Sequence, residues 1–203
     1  MSKFANEFWN ERFSTDKYIY GKNPNKFFKE QIDQLKPGRL LLLGEGEGRN
    51  SVYAAIKGWE VDAVDFSKTA KEKALLLAKQ NDVNINYTIN NLADFIPNEN
   101  FYEAIGLIFV HLKPDSRNVA HERIVNALKN NGRIILEAFE KQQLGKNSGG
   151  PQSEEMLYSI EELKDDFKDL KIHILEEKTV LLDEGDSHKG NASVIKFVCE
   201  KFN

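Results

Sequence analysis

Apolar and polar positions divide this chain into short and long blocks. Short apolar or alternating runs at 40–43, 60–64, 84–89, 102–109 and 133–139 have the length of β-strands. The longer stretches between them, 49–57, 67–81 and 114–129, space their apolar residues as helices do. Punctuation agrees: Gly58 suits a helix stop, Ser67 an N-cap, Pro114-Asp115 a helix start and Asn131-Gly132 its end. Ahead of the first strand, residues 4–13 and 24–34 read as helices carrying Phe4, Phe8, Trp9, Phe13, Phe27 and Phe28. Pro24 suits a first helical position, and Pro37-Gly38 closes this preamble. Beyond 139 an unpatterned segment, 140–158, precedes the capping box Ser159-x-x-Glu162 and a helix over 160–168. Runs at 171–182 and 192–200 read as a hairpin with a wide polar loop.

Repeated strand–helix units predict an α/β fold, a three-layer doubly wound and mostly parallel sheet ending in an antiparallel hairpin. One domain over 1–203 is expected, with a helical N-terminal cap at 1–36 and a core at 38–203.

The candidate chemistry lies where the first strand ends. Leu40-Leu41-Leu42-Leu43 runs into Gly44-Glu45-Gly46-Glu47-Gly48-Arg49-Asn50, three alternating glycines at a strand-to-helix turn. Glycine lets the backbone turn tightly and lets a ligand touch it. Asp65, at the end of the second strand, is placed to accept hydrogen bonds from ribose hydroxyls. Dinucleotide sites usually show G-x-G-x-x-G, with a pyrophosphate on the helix N-terminus. Here the spacing is G-x-G-x-G, and Glu45 and Glu47 would repel a pyrophosphate. They suit a sulfonium or an amino-acid ammonium, which favours S-adenosyl-L-methionine over a nicotinamide or flavin.

Composition narrows the partners. The net charge of −4 over 203 residues comes with no basic block, which argues against nucleic acid. Lys68, Lys71, Lys73 and Lys79 read as a solvated helix face. No run has membrane-spanning length, and no signal peptide is evident. The one cysteine, Cys199, sits in an apolar run, reads as core and fits a cytoplasmic protein.

The chain resembles class I S-adenosylmethionine-dependent methyltransferases, and within them the small bacterial enzymes related to tellurite-resistance and thiopurine methyltransferases. The likeness rests on Phe8-Trp9 with Tyr18-Ile19-Tyr20-Gly21, the glycine loop, Val64-Asp65-Phe66-Ser67, Asn91-Leu92-Ala93-Asp94-Phe95 and His111-Leu112-Lys113-Pro114. Glu137-Ala138-Phe139, Gly149-Gly150-Pro151 and Asp183-Glu184-Gly185 with His188 complete it. It implies a Rossmann-like fold. Gly44, Gly46 and Gly48 would bend around the methionine part of the cofactor, and Asp65 would hold the ribose. Asn91 and Leu92 would contact adenine, with Phe66 stacking on it or filling a gap. Phe109 and His111 would line the wall near the sulfonium. Two positions depart from the pattern. Leu42 stands where many relatives carry an acid, leaving Glu45 to supply the charge, and Asn91 stands where an aspartate is common.

Methyl transfer needs alignment and exclusion of water more than it needs a base. No asparagine-proline-proline-aromatic signature of amine methylation is present, and the four histidines lack metal-ligand spacing. A small-molecule acceptor is expected, of the soft sulfur, selenium or tellurium kind, with Tyr20, His111 and His188 on the acceptor side. The segment 140–158 reads as a lid. Arg49 reads as a surface helix residue and His121 as structural. The alternatives are a module that binds S-adenosylmethionine without catalysis, or a nicotinamide-dependent reductase. Oligomeric state is not legible.

Overall fold

The computed structural model describes residues 3–202, and from residue 7 onward their side chains as well; Phe4 lies outside the described side chains. Two helices, α1 (Lys3–Arg12) and α2 (Lys26–Ile32), precede β1 (Arg39–Leu43). Then come α3 (Arg49–Ile56), β2 (Glu60–Asp65), α4 (Lys68–Gln80), β3 (Asn86–Ile89) and β4 (Tyr102–Ile108). The chain continues through α5 (Pro114–Ala127), β5 (Leu128–Phe139), α6 (Ile160–Asp166), β6 (Lys171–Asp183) and β7 (Lys189–Glu200). They form one seven-stranded sheet in the order β3-β2-β1-β4-β5-β7-β6. Strands β1 to β5 run parallel, and β7 inserts antiparallel between β5 and β6. The α/β fold with its terminal hairpin is the one the pattern predicts.

The four leucines of β1 show why the strand is apolar without alternation. Leu41 and Leu43 enter the core on one face with Ile105, Ile134 and Phe167. Leu40 and Leu42 enter the core on the other face with Phe28, Val52 and Trp59. A strand covered on both faces needs apolar residues at successive positions, and each buried leucine contributes about 1.5–3 kcal/mol. Leu42 packs against the bare Cα of Gly106, where a Cβ would lie 2.5 Å from Leu42 Cδ2. An acid at Leu42 would be buried without a partner in this packing.

Several boundaries differ from those the sequence predicts. Asn25, not Pro24, opens α2: its side chain accepts from Phe28 N–H, and the helix begins at Lys26. Helix α5 stops at Ala127, and β5 takes over at Leu128, where Tyr102 pairs with it before the register slips. Asn131, at φ 62°, marks that irregularity rather than a helix end. Strands β6 and β7 pair from Lys171–Glu200 to Asp183–Lys189, so the hairpin loop is short. The predicted N-caps are found: Ser67 accepts from Ala70 N–H, and Ser159 accepts from Glu162 N–H. Among the described residues, no helix is long and apolar enough to cross a membrane.

Candidate active site

Strand order reverses between β1 and β4, and in open α/β sheets ligands bind beyond the strand ends at such a switch. The glycine loop, Asp65, Phe109 and Phe139 all stand at carboxyl ends of strands there. Gly44, Gly46 and Gly48 have φ of 62°, 61° and 90°, a region L side chains rarely enter. Two of them have a second reason to be glycine. A Cβ on Gly44 would lie 2.8 Å from Val110, and one on Gly48 would lie 2.7 Å from Ala74 of α4. On Gly46 it would reach only ordinary contact, 3.5 Å from the Phe13 ring.

The acidic residues of the loop have internal partners. Glu45 accepts from the N–H groups of Asn50 (3.0 Å) and Ser51 (2.6 Å) in the first turn of α3. Burial pushes its carboxyl up to about 7, against those N–H groups and the charge of Arg49. Glu47 accepts from Ile19 N–H (2.7 Å) and Tyr20 N–H (3.4 Å) and pairs with Lys73. Asp65 is only 6% exposed, not at the surface, and accepts from Gly46 N–H (3.1 Å) and Ser67 N–H (2.9 Å). Burial pushes its carboxyl up, while those amides draw it down. Each Asp65 oxygen keeps a lone pair, so accepting ribose hydroxyls is compatible with its present bonds.

Of the residues expected on the adenine side, Leu92 is buried and packs toward Gly44, and Phe66 is half-buried. Asn91 turns its amide onto its own loop: Oδ1 accepts from Ala93 N–H (3.2 Å), and Nδ2 donates to Asp94 (2.7 Å).

Four rings cluster at the strand ends. His188 is buried against Tyr20 (4.5 Å between ring centroids), Phe109 (4.4 Å) and Phe139 (5.3 Å). Phe109 has φ 55°, uncommon for an aromatic residue, and is held there by its N–H to the Glu137 carbonyl (2.7 Å). His188 Nδ1 is buried without a hydrogen-bond partner among the described residues. Its 3.7 Å approach to Glu184 is a charge contact rather than a hydrogen bond. Burial therefore prevails, and the imidazole pKa is pushed down. His111 differs: Nδ1 bonds the Met156 carbonyl (2.8 Å), and Nε2 accepts from Phe139 N–H (3.3 Å). With both nitrogens engaged, and burial pushing it down to about 4, this ring fixes the 140–158 segment rather than facing an acceptor.

That segment is docked rather than open. Two short 3-10 turns, Lys141–Gln143 and Glu154–Met156, interrupt it. Gln143 bonds Ser148 and the Gly149 carbonyl, each at 2.9 Å, and accepts from Ser193 N–H (2.8 Å). Gly149 and Gly150, with φ of 123° and 87°, pack directly on His188 and Phe139.

The family model of tellurite resistance protein TehB matches residues 7–200. The chain belongs to the TehB family. By family and fold it is a class I S-adenosylmethionine-dependent methyltransferase. TehB from Haemophilus influenzae is similar in structure, with a TM-score of 0.72 at 17% identity over 97% of this chain. The match spans 66% of the Haemophilus chain. A structure concerned with conversion of a disulfide bond into a thioacetal group during echinomycin biosynthesis has a TM-score of 0.74 at 14% identity, covering 97% of this chain and 91% of that one. Phosphoethanolamine N-methyltransferase 2 of Haemonchus contortus, in complex with S-adenosyl-L-methionine, has a TM-score of 0.70 at 18% identity, covering 97% of this chain and 56% of that one. No curated protein sequence matches significantly.

Beneath the rings, this TehB-family chain carries a buried polar network that its sequence conceals. Arg49, only 7% exposed and not a surface residue, pairs with Glu184 (2.9 Å) and donates to the Tyr20 carbonyl (3.3 Å). Asn25 donates to Glu184 (3.0 Å) and Glu137 (2.5 Å), and its own N–H donates to Asn50 (2.9 Å). Lys73 is largely buried instead of solvated, with Nζ bonded to the carbonyls of Thr15 (2.9 Å) and Lys17 (2.5 Å). Tyr87 of β3 donates to the Gly46 carbonyl (2.7 Å) from below. These residues lie far apart in sequence; Arg49-Asn50, Glu137 and Glu184 each fall within a quoted motif, but nothing in the sequence pairs one with another. His121 is structural as expected, buried and bonded to Asp166 (2.8 Å). Cys199 is core, its thiol pKa raised by burial.

Proposed function

We propose that this protein transfers the methyl group of S-adenosylmethionine to a small, soft sulfur, selenium or tellurium nucleophile. The observation that carries the reading is the left-handed glycine loop at the sheet's switch point, with Asp65 beside it and an aromatic wall at the strand ends. Gly44, Glu45, Gly46 and Gly48 would receive the methionine part, Asp65 the ribose, and Phe66, Asn91 and Leu92 the adenine. When bound, the cofactor supplies a methyl carbon already activated by a positively charged sulfur. The rings of Tyr20, Phe109 and Phe139 favour that charge electrostatically and exclude water. On the acceptor side, His188 presents an imidazole whose pKa burial pushes down, and Tyr20 stands against it. His111 acts through position, holding Met156 and Phe139 together. A soft nucleophile needs no strong base, and the family's tellurite-resistance name supports that acceptor class.

Calorimetry with S-adenosylhomocysteine and NADH tests the cofactor, with binding of the first and not the second expected. Thiols, selenite and tellurite screened against small amines and phenols test the acceptor. Substituting His188 or Tyr20 is expected to lower methyl transfer while S-adenosylhomocysteine affinity stays nearly unchanged. Turnover confined to amines or to a macromolecule would refute the acceptor class and leave methyl transfer in place. Absence of turnover on any acceptor, with the cofactor bound, would favour a non-catalytic binding module.

A further inference from the structure

We propose that the guanidinium of Arg12 receives the α-carboxylate of the cofactor's methionine part. This rests on the S-adenosylmethionine reading of the site. Arg12 ends α1, which is docked over the cofactor-side loops. Asn10 Oδ1 accepts from Ser67 Oγ (2.8 Å), fixing α1 on the turn that follows Asp65. Next to Arg12, the Phe13 ring lies over Gly46 and stacks on Trp9 at 5.5 Å. The guanidinium is flanked by aromatic faces, 5.4 Å from the Trp9 ring centroid, 5.8 Å from Phe8 and 6.0 Å from Tyr20.

Charge accounting singles this side chain out. The loop region holds three carboxylates, Glu45, Glu47 and Asp65, which suit the ligand's sulfonium and ammonium but oppose its carboxylate. That carboxylate needs a cation. Arg49 is committed to Glu184 and the Tyr20 carbonyl, and Lys73 to Glu47 and three carbonyls. Arg12 forms no ion pair with a described carboxylate; its guanidinium meets the Tyr20 hydroxyl, a neutral partner, and its Nε is buried without a hydrogen-bond partner among the described residues. A planar fork held between rings is preorganised for a carboxylate, which it can bind with two parallel hydrogen bonds.

The test uses two ligands that differ at this group. S-adenosylhomocysteine carries the amino-acid end, and 5′-methylthioadenosine is the same kind of nucleoside thioether without it. In Arg12→Met, S-adenosylhomocysteine affinity is expected to fall about tenfold to a hundredfold, with 5′-methylthioadenosine affinity unchanged within about twofold. Arg12→Lys keeps the charge without the fork and is expected to fall between wild type and Arg12→Met. Equal weakening of both ligands would overturn the proposal, because Arg12 would then act by holding α1 in place. Undiminished S-adenosylhomocysteine affinity in both variants would overturn it too and move Arg12 to the acceptor side. A wild-type protein that binds neither nucleoside would refute the cofactor reading itself, an outcome distinct from either of these.

Discussion

Asp65 serves the fold before it serves a ligand, because each carboxylate oxygen already holds a backbone N–H. Asp65→Ala is therefore expected to act twice. It should weaken S-adenosylhomocysteine binding about tenfold to a hundredfold, and destabilise the protein by on the order of 2 kcal/mol. Calorimetry and a denaturant melt separate the two losses, and an unchanged dissociation constant would leave Asp65 a loop cap alone. Glu45 yields a pH prediction. Its folded-state pKa of about 7 lies above the ordinary 4.5, so its contribution is fully present below about 4.5 and is lost as pH rises through about 7. Glu45→Gln keeps an oxygen for the Asn50 and Ser51 N–H groups and removes the charge. Its melting temperature should decline less than that of the wild type between about pH 5 and about pH 8. Parallel curves would mean that burial does not control this carboxyl. Gly44, Gly46, Gly48 and Asp65 were legible in sequence because strict spacing marks a backbone requirement. The inward turn of Asn91 was not, since an asparagine serves a ligand or its own loop with equal ease.

At the scale of elements, two ion pairs fasten the chain's early segment to the core. Glu47 with Lys73 clasps residues 13–20, and Arg49 with Glu184 ties α3 to the hairpin loop. Arg49 and His188 outweigh the burial of Glu184 and hold its carboxyl down at about 2. A lowered folded pKa contributes stability above the unfolded value of about 4.5, and that stability is lost as pH falls toward about 2. Glu184→Gln should flatten the acid limb of the stability curve and speed hydrogen exchange at residues 18–25 and 184–188. Exchange no faster than wild type at both segments would mean that the pair does not tie them. Helices and strands were legible from periodicity and caps, as Ser67 and Ser159 show. The β5 boundary was not, because an irregularity at Asn131 looks like a helix end when its partner Tyr102 is unknown. Nor was the tethering of 140–158, which depends on Gln143 and Ser148, polar residues that read as loop until Ser193 and Asn191 are seen beside them.

Across the whole molecule, the site is assembled from segments remote in sequence. Residues 12–25 precede β1, 139–158 run from the end of β5, and 184–188 join β6 to β7. Such convergence is invisible to local pattern, and it explains why the buried network of Asn25, Arg49, Glu137 and Glu184 escaped a reading that recovered the sheet. It also has a kinetic consequence. In the proposed site, Tyr20, pinned through its backbone by Glu47 and Arg49, and Gly149, packed on His188, would form the roof of the crevice. Entry then waits on a roof that must first lift. In stopped-flow mixing, the observed rate of S-adenosylhomocysteine binding should climb with concentration and then level off at the opening rate. Glu184→Gln, which loosens that roof, should raise the plateau.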